Sequence, residues 1–475
     1  MRISQIFNLN KSQAELDFID IDTKKDIPLF LDPFFLGDRK DKWSIEATLT
    51  LRSFFQELIT LTKAGKDNDA RHLFEYLHEP NSTCLGMSTN QPEGNGVGKE
   101  DTSNIYENLQ KSKAIKTGLL QDIEDNILFV ENFGKDKLSD MTTNIIKKHL
   151  IEYTHAQCLL HNIPLTENVS SGFYWSRQDG GWKTEYLKML VIDEKPILLV
   201  PKGVISFCKS YTPDRYYNHF VLNFLQNEHL KMNTVFVKER KSGKKYVTKK
   251  DLKQAEPYSK QFLRNFTLKH PDVLKHFKSS TKINSIKNIE IADISVKDIC
   301  KSLGSRLVKI IPGTKTASAF HNIILGILEL LFYPNLIYPV KEKEIHEGRK
   351  RIDITFDNAA RNGIFYRLAE NMTLPCQYLF VECKNYSSDP ANPELDQLSG
   401  RFSVNRGRVG FLVCRSFSDK QLFIKRCQDT YKDGRGLIIP LGDQDIINLL
   451  DNHNEFNDSF IDKYLSDLVR EIAID

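Results

Sequence analysis

In residues 377–386, QYLFVECKNY, charge interrupts an apolar run at two positions only, Glu382 and Lys384. Residues two apart in a β-strand face the same side, so these side chains project together while Val381 and Cys383 face the other way. Charge in such a run implies either function or a costly burial, because a buried unpaired charge is strongly unfavourable.

The surroundings carry the same signal. From about residue 303 strand-like segments alternate with helical ones, the pattern of an α/β unit, and a domain boundary is expected between about 290 and 305. AFHNIILGILELLFYP (319–334) predicts an apolar helix in which Glu329 is the only acid. RIDITF (351–356) predicts a short strand after the turn Glu347-Gly348. If that strand pairs beside 377–386, Asp353 meets Glu382 and Lys384. Further on, NPELDQLSGRFSVNRGRVGFLVCR predicts a helix and then a strand, with Gln397 and Arg401 four apart on one helical face.

Two carboxylates and an ammonium at one sheet edge suit phosphodiester hydrolysis. Asp353 and Glu382 offer hard oxygen ligands for Mg²⁺, and Lys384 suits orienting a water or neutralising charge on a phosphate. Arg401 suits a bidentate phosphate contact, with Arg406 and Arg408 extending a positive rim.

The helix with Glu329, the strand with Asp353 and the strand with Glu382-Cys383-Lys384 resemble the PD-(D/E)xK superfamily of restriction-endonuclease-like nucleases. The resemblance covers about 305–450, although no proline precedes Asp353. It implies a mixed sheet flanked by helices; the region before it reads, from its own residue spacing, as helix-rich α+β. The resemblance implies Asp353, Glu382 and the Cys383 main-chain carbonyl as metal ligands, Lys384 completing the site, and Glu329 and Gln397 as accessory groups. The implied activity is Mg²⁺-dependent DNA endonuclease, with Mn²⁺ able to substitute, in a prokaryotic restriction or anti-phage effector. A homodimer or a multi-protein defence system fits that activity. The alternative is an inactive nuclease fold serving as a nucleic-acid-binding or scaffold subunit. Nothing in these residues distinguishes DNA from RNA.

At 475 residues the chain exceeds one usual core, and three regions are expected: 1–200, 201–300 and 301–475. Residues 40–160 show helical spacing, and 182–202 predicts two strands around Asp193-Glu194-Lys195-Pro196. The alternating acids of LDFIDID read as an edge strand with Asp20 and Asp22 on its wet face. Net charge is +4, yet residues 201–300 carry 20 basic against 9 acidic residues. Within them 231–253 predicts a basic hairpin about Ser242-Gly243. Its Lys238, Arg240, Lys241, Lys244, Lys245, Lys249 and Lys250, interleaved with Phe236 and Tyr246, are candidates for nucleic-acid contact. A basic helical stretch, 258–279, is broken or started by Pro271.

Other signals are weaker. EGNGVGKE (93–100) fails as a phosphate loop, since Glu93 and Glu100 stand where glycine and a hydroxyl residue belong. His321 reads as a satisfied core histidine and His346 as solvated. The eight cysteines lack zinc-finger spacing. No signal-peptide core and no run of about 20 apolar residues are read, so a cytoplasmic protein without membrane contact is expected.

Overall fold

The computed structural model describes residues 1–78, 80–86, 99–206, 211–280, 295–345, 350–371, 374–454 and 459–474. His346, most of the loop 93–100, and part of the expected boundary at 290–305 lie outside them.

The N-terminal part is helix-rich with small sheets. Helix α1 (Lys42–Lys63) starts where the Asp41 carboxylate accepts the Ser44 N–H at 2.9 Å, and it buries Leu51, Phe54, Phe55 and Leu58. Helix α2 (Lys147–His161) ends on Asn162 in the left-handed conformation. Strands Tyr186–Ile192 and Lys195–Ile197 pair antiparallel, and Asp193 and Glu194 between them both take positive φ, as a tight two-residue hairpin requires. Thr166–Ser170 completes this sheet. The expected edge strand at 16–22 is instead an extended segment held by isolated bridges. Asp20 is 2% exposed, accepting the Ser4 N–H and hydroxyl, so it does not form a wet face. Burial raises its carboxyl against the pull of those bonds.

The basic segment folds as expected in outline. Lys238–Glu239 and Lys245–Tyr246 pair as a short hairpin, and helices Lys260–Lys269 and Pro271–Ser280 follow, Pro271 opening the second. One apolar cluster runs from Ile3 to Phe277, so the boundary expected at 200 falls inside a shared core.

The C-terminal part, mixed α/β, is built on a five-stranded sheet in sequence order: β1 (Leu336–Ile345), β2 (Lys350–Asn358), β3 (Tyr378–Lys384), β4 (Val409–Cys414) and β5 (Leu437–Leu441). β1, β2 and β3 pair antiparallel, while β3, β4 and β5 run parallel. Every residue of β4 and β5 is buried, as their uninterrupted apolar runs require when helices cover both faces. The helices are α3 (Val296–Lys309), α4 (Ala317–Phe332), α5 (Asn392–Ser399) and α6 (Lys420–Lys432), followed by Asp443–Asp451 and Ser459–Ile474. The stretch Thr314–Phe332 is long and apolar enough to cross a membrane by length and composition alone, and most of it is buried inside the fold, as a core helix is.

The two parts interlock. Ile337 and Tyr338 of β1 belong to the N-terminal cluster, and Leu160 of α2 belongs to the C-terminal one.

Candidate active site

The β2–β3 ladder runs from Asp357 opposite Tyr378 to Ile354 opposite Val381. One residue further, the Asp353 carboxylate accepts the Cys383 N–H at 2.8 Å, so a side chain takes over where the ladder ends. β2 stays paired with β1 through this point. The two central strands therefore come apart at one end, and Asp353, Glu382 and Lys384 stand there.

Glu382 is 1% exposed. Its carboxylate meets the Lys384 ammonium at 2.9 Å and forms an ion pair with the Arg401 guanidinium. Lys384 Nζ also donates to Gln397 Oε1 at 2.9 Å. A carboxylate with two cations is how a buried charge is tolerated, and these contacts hold every partner in one place. Burial pulls the Arg401 guanidinium below its usual value, and Asp353 offsets only part of this. α5 ends at Ser399, so Arg401 lies just past the helix; it reaches Glu382, while Gln397 on the helix reaches Lys384.

Other assignments fall elsewhere. Arg408 precedes β4, whose first residue lies opposite Leu379, whereas Lys384 lies opposite Cys414. Arg408 therefore stands four residues, roughly 13 Å, from the position opposite Glu382 and six, roughly 20 Å, from that opposite Lys384, toward the other end of the sheet. Arg406 donates to the Arg401 carbonyl at 3.3 Å and braces that loop. Glu329 sits eight residues beyond His321 on α4, about 12 Å along the axis. It faces the N-terminal part, with Lys11 Nζ at 4.0 Å, and among the described residues neither of its oxygens has a hydrogen-bond partner. Burial pushes its carboxyl up to about 8, while Lys11 and Lys202 pull it down. It is therefore a junction residue, outside the group around Asp353.

His321 takes the place expected of an accessory group. Its Nε2 lies 3.3 Å from the Cys383 carbonyl oxygen and 3.9 Å from Asp353 Oδ2. A lone histidine on an apolar helix carries no periodic signal, so spacing alone does not separate it from a core residue. Asn385 was also missed. Its amide donates to the Gly313 carbonyl at 2.8 Å and the Thr316 hydroxyl at 2.9 Å, fastening the approach to α4 onto the end of β3.

Donor chemistry fits a divalent cation here. Ligand atoms of His321, Asp353 and Cys383 lie within 4.8 Å of one another, with the Cys383 carbonyl 3.3 Å from His321 Nε2, while the Glu382 carboxylate is engaged by Lys384 and Arg401. The Cys383 thiol is pushed well above its usual range by burial and by Asp353, so without a cation it stays protonated. Oxygen donors suit Mg²⁺ or Mn²⁺, and an imidazole also suits later transition metals.

Among the basic hairpin candidates, Lys238 pairs with Asp251 at 2.6 Å, Lys245 donates to Asn233 at 2.8 Å and Lys249 donates to the Asn218 carbonyl at 2.7 Å. Arg240 lies over the Tyr246 ring at 5.2 Å. Arg240, Lys241, Lys244 and Lys250 are exposed.

A family model described as a domain of unknown function (DUF8370) matches residues 8–212. No curated protein and no solved structure matches the chain.

Proposed function

We propose that the C-terminal part is a metal-dependent nuclease of restriction-endonuclease-like architecture that hydrolyses DNA phosphodiester bonds. The observation that carries this reading is the opened end of the β2–β3 ladder. There Asp353 caps the strand bearing Glu382 and Lys384, and Gln397 and Arg401 secure those two residues.

Asp353, Glu382 and the Cys383 carbonyl would hold the cation, with His321 beside them. A bound Mg²⁺ or Mn²⁺ supplies Lewis acidity to the phosphoryl group and lowers the pKa of a water. Lys384 carries a fixed positive charge to the same place, suited to orienting the attacking water or meeting charge on the phosphate. Gln397 keeps that ammonium aimed. Arg401 restrains the Glu382 carboxylate and offers a guanidinium to a phosphate oxygen. The exposed Arg240, Lys241, Lys244 and Lys250 provide a field that attracts a polyanion.

The test is cleavage of supercoiled plasmid by the full chain with Mg²⁺, Mn²⁺ or EDTA. Wild type is expected to nick or linearise DNA only with metal, and Asp353→Asn to lose at least about a hundredfold in rate. Cleavage that persists in EDTA, or in Asp353→Asn at the wild-type rate, contradicts the reading.

A further inference from the structure

A cavity of about 560 Å³ lies in the N-terminal part, between the start of α2 and the sheet formed by Thr166–Ser170, Tyr186–Ile192 and Lys195–Ile197. That size falls within the roughly 300–1,000 Å³ typical of small-molecule sites. Its floor is apolar, with Met189 3% and Leu198 1% exposed. Its polar lining includes Asn81, Ser82 and Ser170. At one side stand two aromatic rings, Tyr76 and Phe173, with centroids 4.3 Å apart, and Phe173 is 40% exposed.

Two lysines reach this space, Lys147 from α2 and Lys195 from the sheet. Lys147 is the unusual one. Among the described residues its ammonium has neither an ion pair nor a hydrogen bond, and burial alone pulls it down to about 8. Two other lysines show what normally happens. Lys148, next in sequence, pairs with Glu185 at 2.7 Å. Lys260, also pulled to about 8 by burial, donates to the carbonyls of Val130 and Phe133. Lys147 points instead at the loop where Gly172 takes φ +63°, and a Cβ on Gly172 would stand 3.4 Å from the ammonium. A half-buried cation with no ion pair or hydrogen bond among the described residues, at the wall of a cavity that a second lysine also lines, is suited to receive an anion.

We propose that this cavity binds a nucleoside phosphate, its phosphate held between Lys147 and Lys195 and its base laid against Phe173 and Tyr76. The lysines call for the anion, the rings for a flat aromatic partner, and the hydroxyl and amide lining for a sugar. The site lies within the 8–212 match and is independent of the nuclease reading.

Isothermal titration of the full chain with AMP, ATP and GTP tests this, with adenosine and pyrophosphate as the separated halves. At least one nucleotide is expected to bind one to one, and each half at least tenfold more weakly. Lys147→Met is expected to weaken that nucleotide at least tenfold while melting no lower than wild type without ligand, since it removes an unpaired charge from a poorly solvated place. A bound anion favours the charged lysine, so between about pH 7 and 9, above the phosphate's own titration at about 6, affinity is expected to fall as pH rises through about 8; His78 and Lys195 are the other titratable groups lining the cavity. Absence of binding at millimolar nucleotide overturns the proposal. So does pyrophosphate binding as tightly as any nucleotide, or Lys147→Met binding like wild type. If Lys147→Met melts lower, the exposed Lys195→Met decides: weakened nucleotide binding upholds the site, and unchanged affinity overturns it.

Discussion

Gln397 touches none of the acids at the candidate site. Its carbonyl oxygen holds Lys384, which also keeps Glu382 at 2.9 Å. Removing it leaves the lysine charged and paired but less well aimed. Gln397→Ala is therefore expected to lower kcat by about tenfold, with little change in KM, in steady-state cleavage of a labelled duplex. An unchanged kcat would show that Lys384 needs no support from α5. At this scale the sequence was informative where strand periodicity operates. Glu382 and Lys384 share a face because they are two apart, and Asp353 follows from one neighbouring strand. It was uninformative where the deciding partner is distant in sequence. Asp20 looked like an exposed strand residue because its Ser4 partner lies in the short helix Ile3–Ile6, sixteen residues away. Glu329 looked like a site residue because a single acid on an apolar helix reads the same whichever neighbour it faces.

Helix α4 connects two environments. Near its start His321 adjoins Asp353, and further along Glu329 meets the buried cations of the N-terminal part. Position therefore separates two variants that sequence alone would group together. Glu329→Gln is expected to cleave DNA within threefold of wild type, unlike Asp353→Asn. Its effect on stability depends on pH. With the folded carboxyl raised from 4.5 to about 8, the native chain holds a proton that the unfolded chain has released. That contribution is full below about 4.5 and is lost as pH rises to about 8. Melting temperatures measured from pH 5 to 8 are expected to shift in favour of Glu329→Gln as pH increases, and a constant difference would contradict this. The elements of the C-terminal sheet were legible because apolar runs alternate with helical spacing. The N-terminal strand expected at 16–22 was not, since acids alternating with apolar residues also describe an extended segment whose acids turn inward.

Across the whole molecule, the two parts share more than a linker. Tyr338 of β1 packs its ring against Trp43 and Tyr153, at 5.5 and 5.6 Å between centroids, and its N–H donates to Asp17 at 3.2 Å. Tyr338→Ala is expected to cost about 3–5 kcal/mol, and thermal unfolding of wild type to follow one transition in calorimetry. Two well-separated transitions would show that the parts fold apart. Neither the shared core from Ile3 to Phe277 nor this exchange of residues was visible in the sequence, because charge and composition change near 200 while the packing does not. The charge excess itself was legible, but its availability was not, since Lys238, Lys245 and Lys249 are engaged by neighbouring groups. The proposed role of the ammonium beside Glu382 is in phosphodiester hydrolysis. Its most direct test is the single-turnover cleavage rate of the full chain against Lys384→Ala, with saturating Mg²⁺ or Mn²⁺. A loss of about a hundredfold or more, with the fold intact by circular dichroism, is predicted; equal rates, or no cleavage by wild type with either metal, would contradict it.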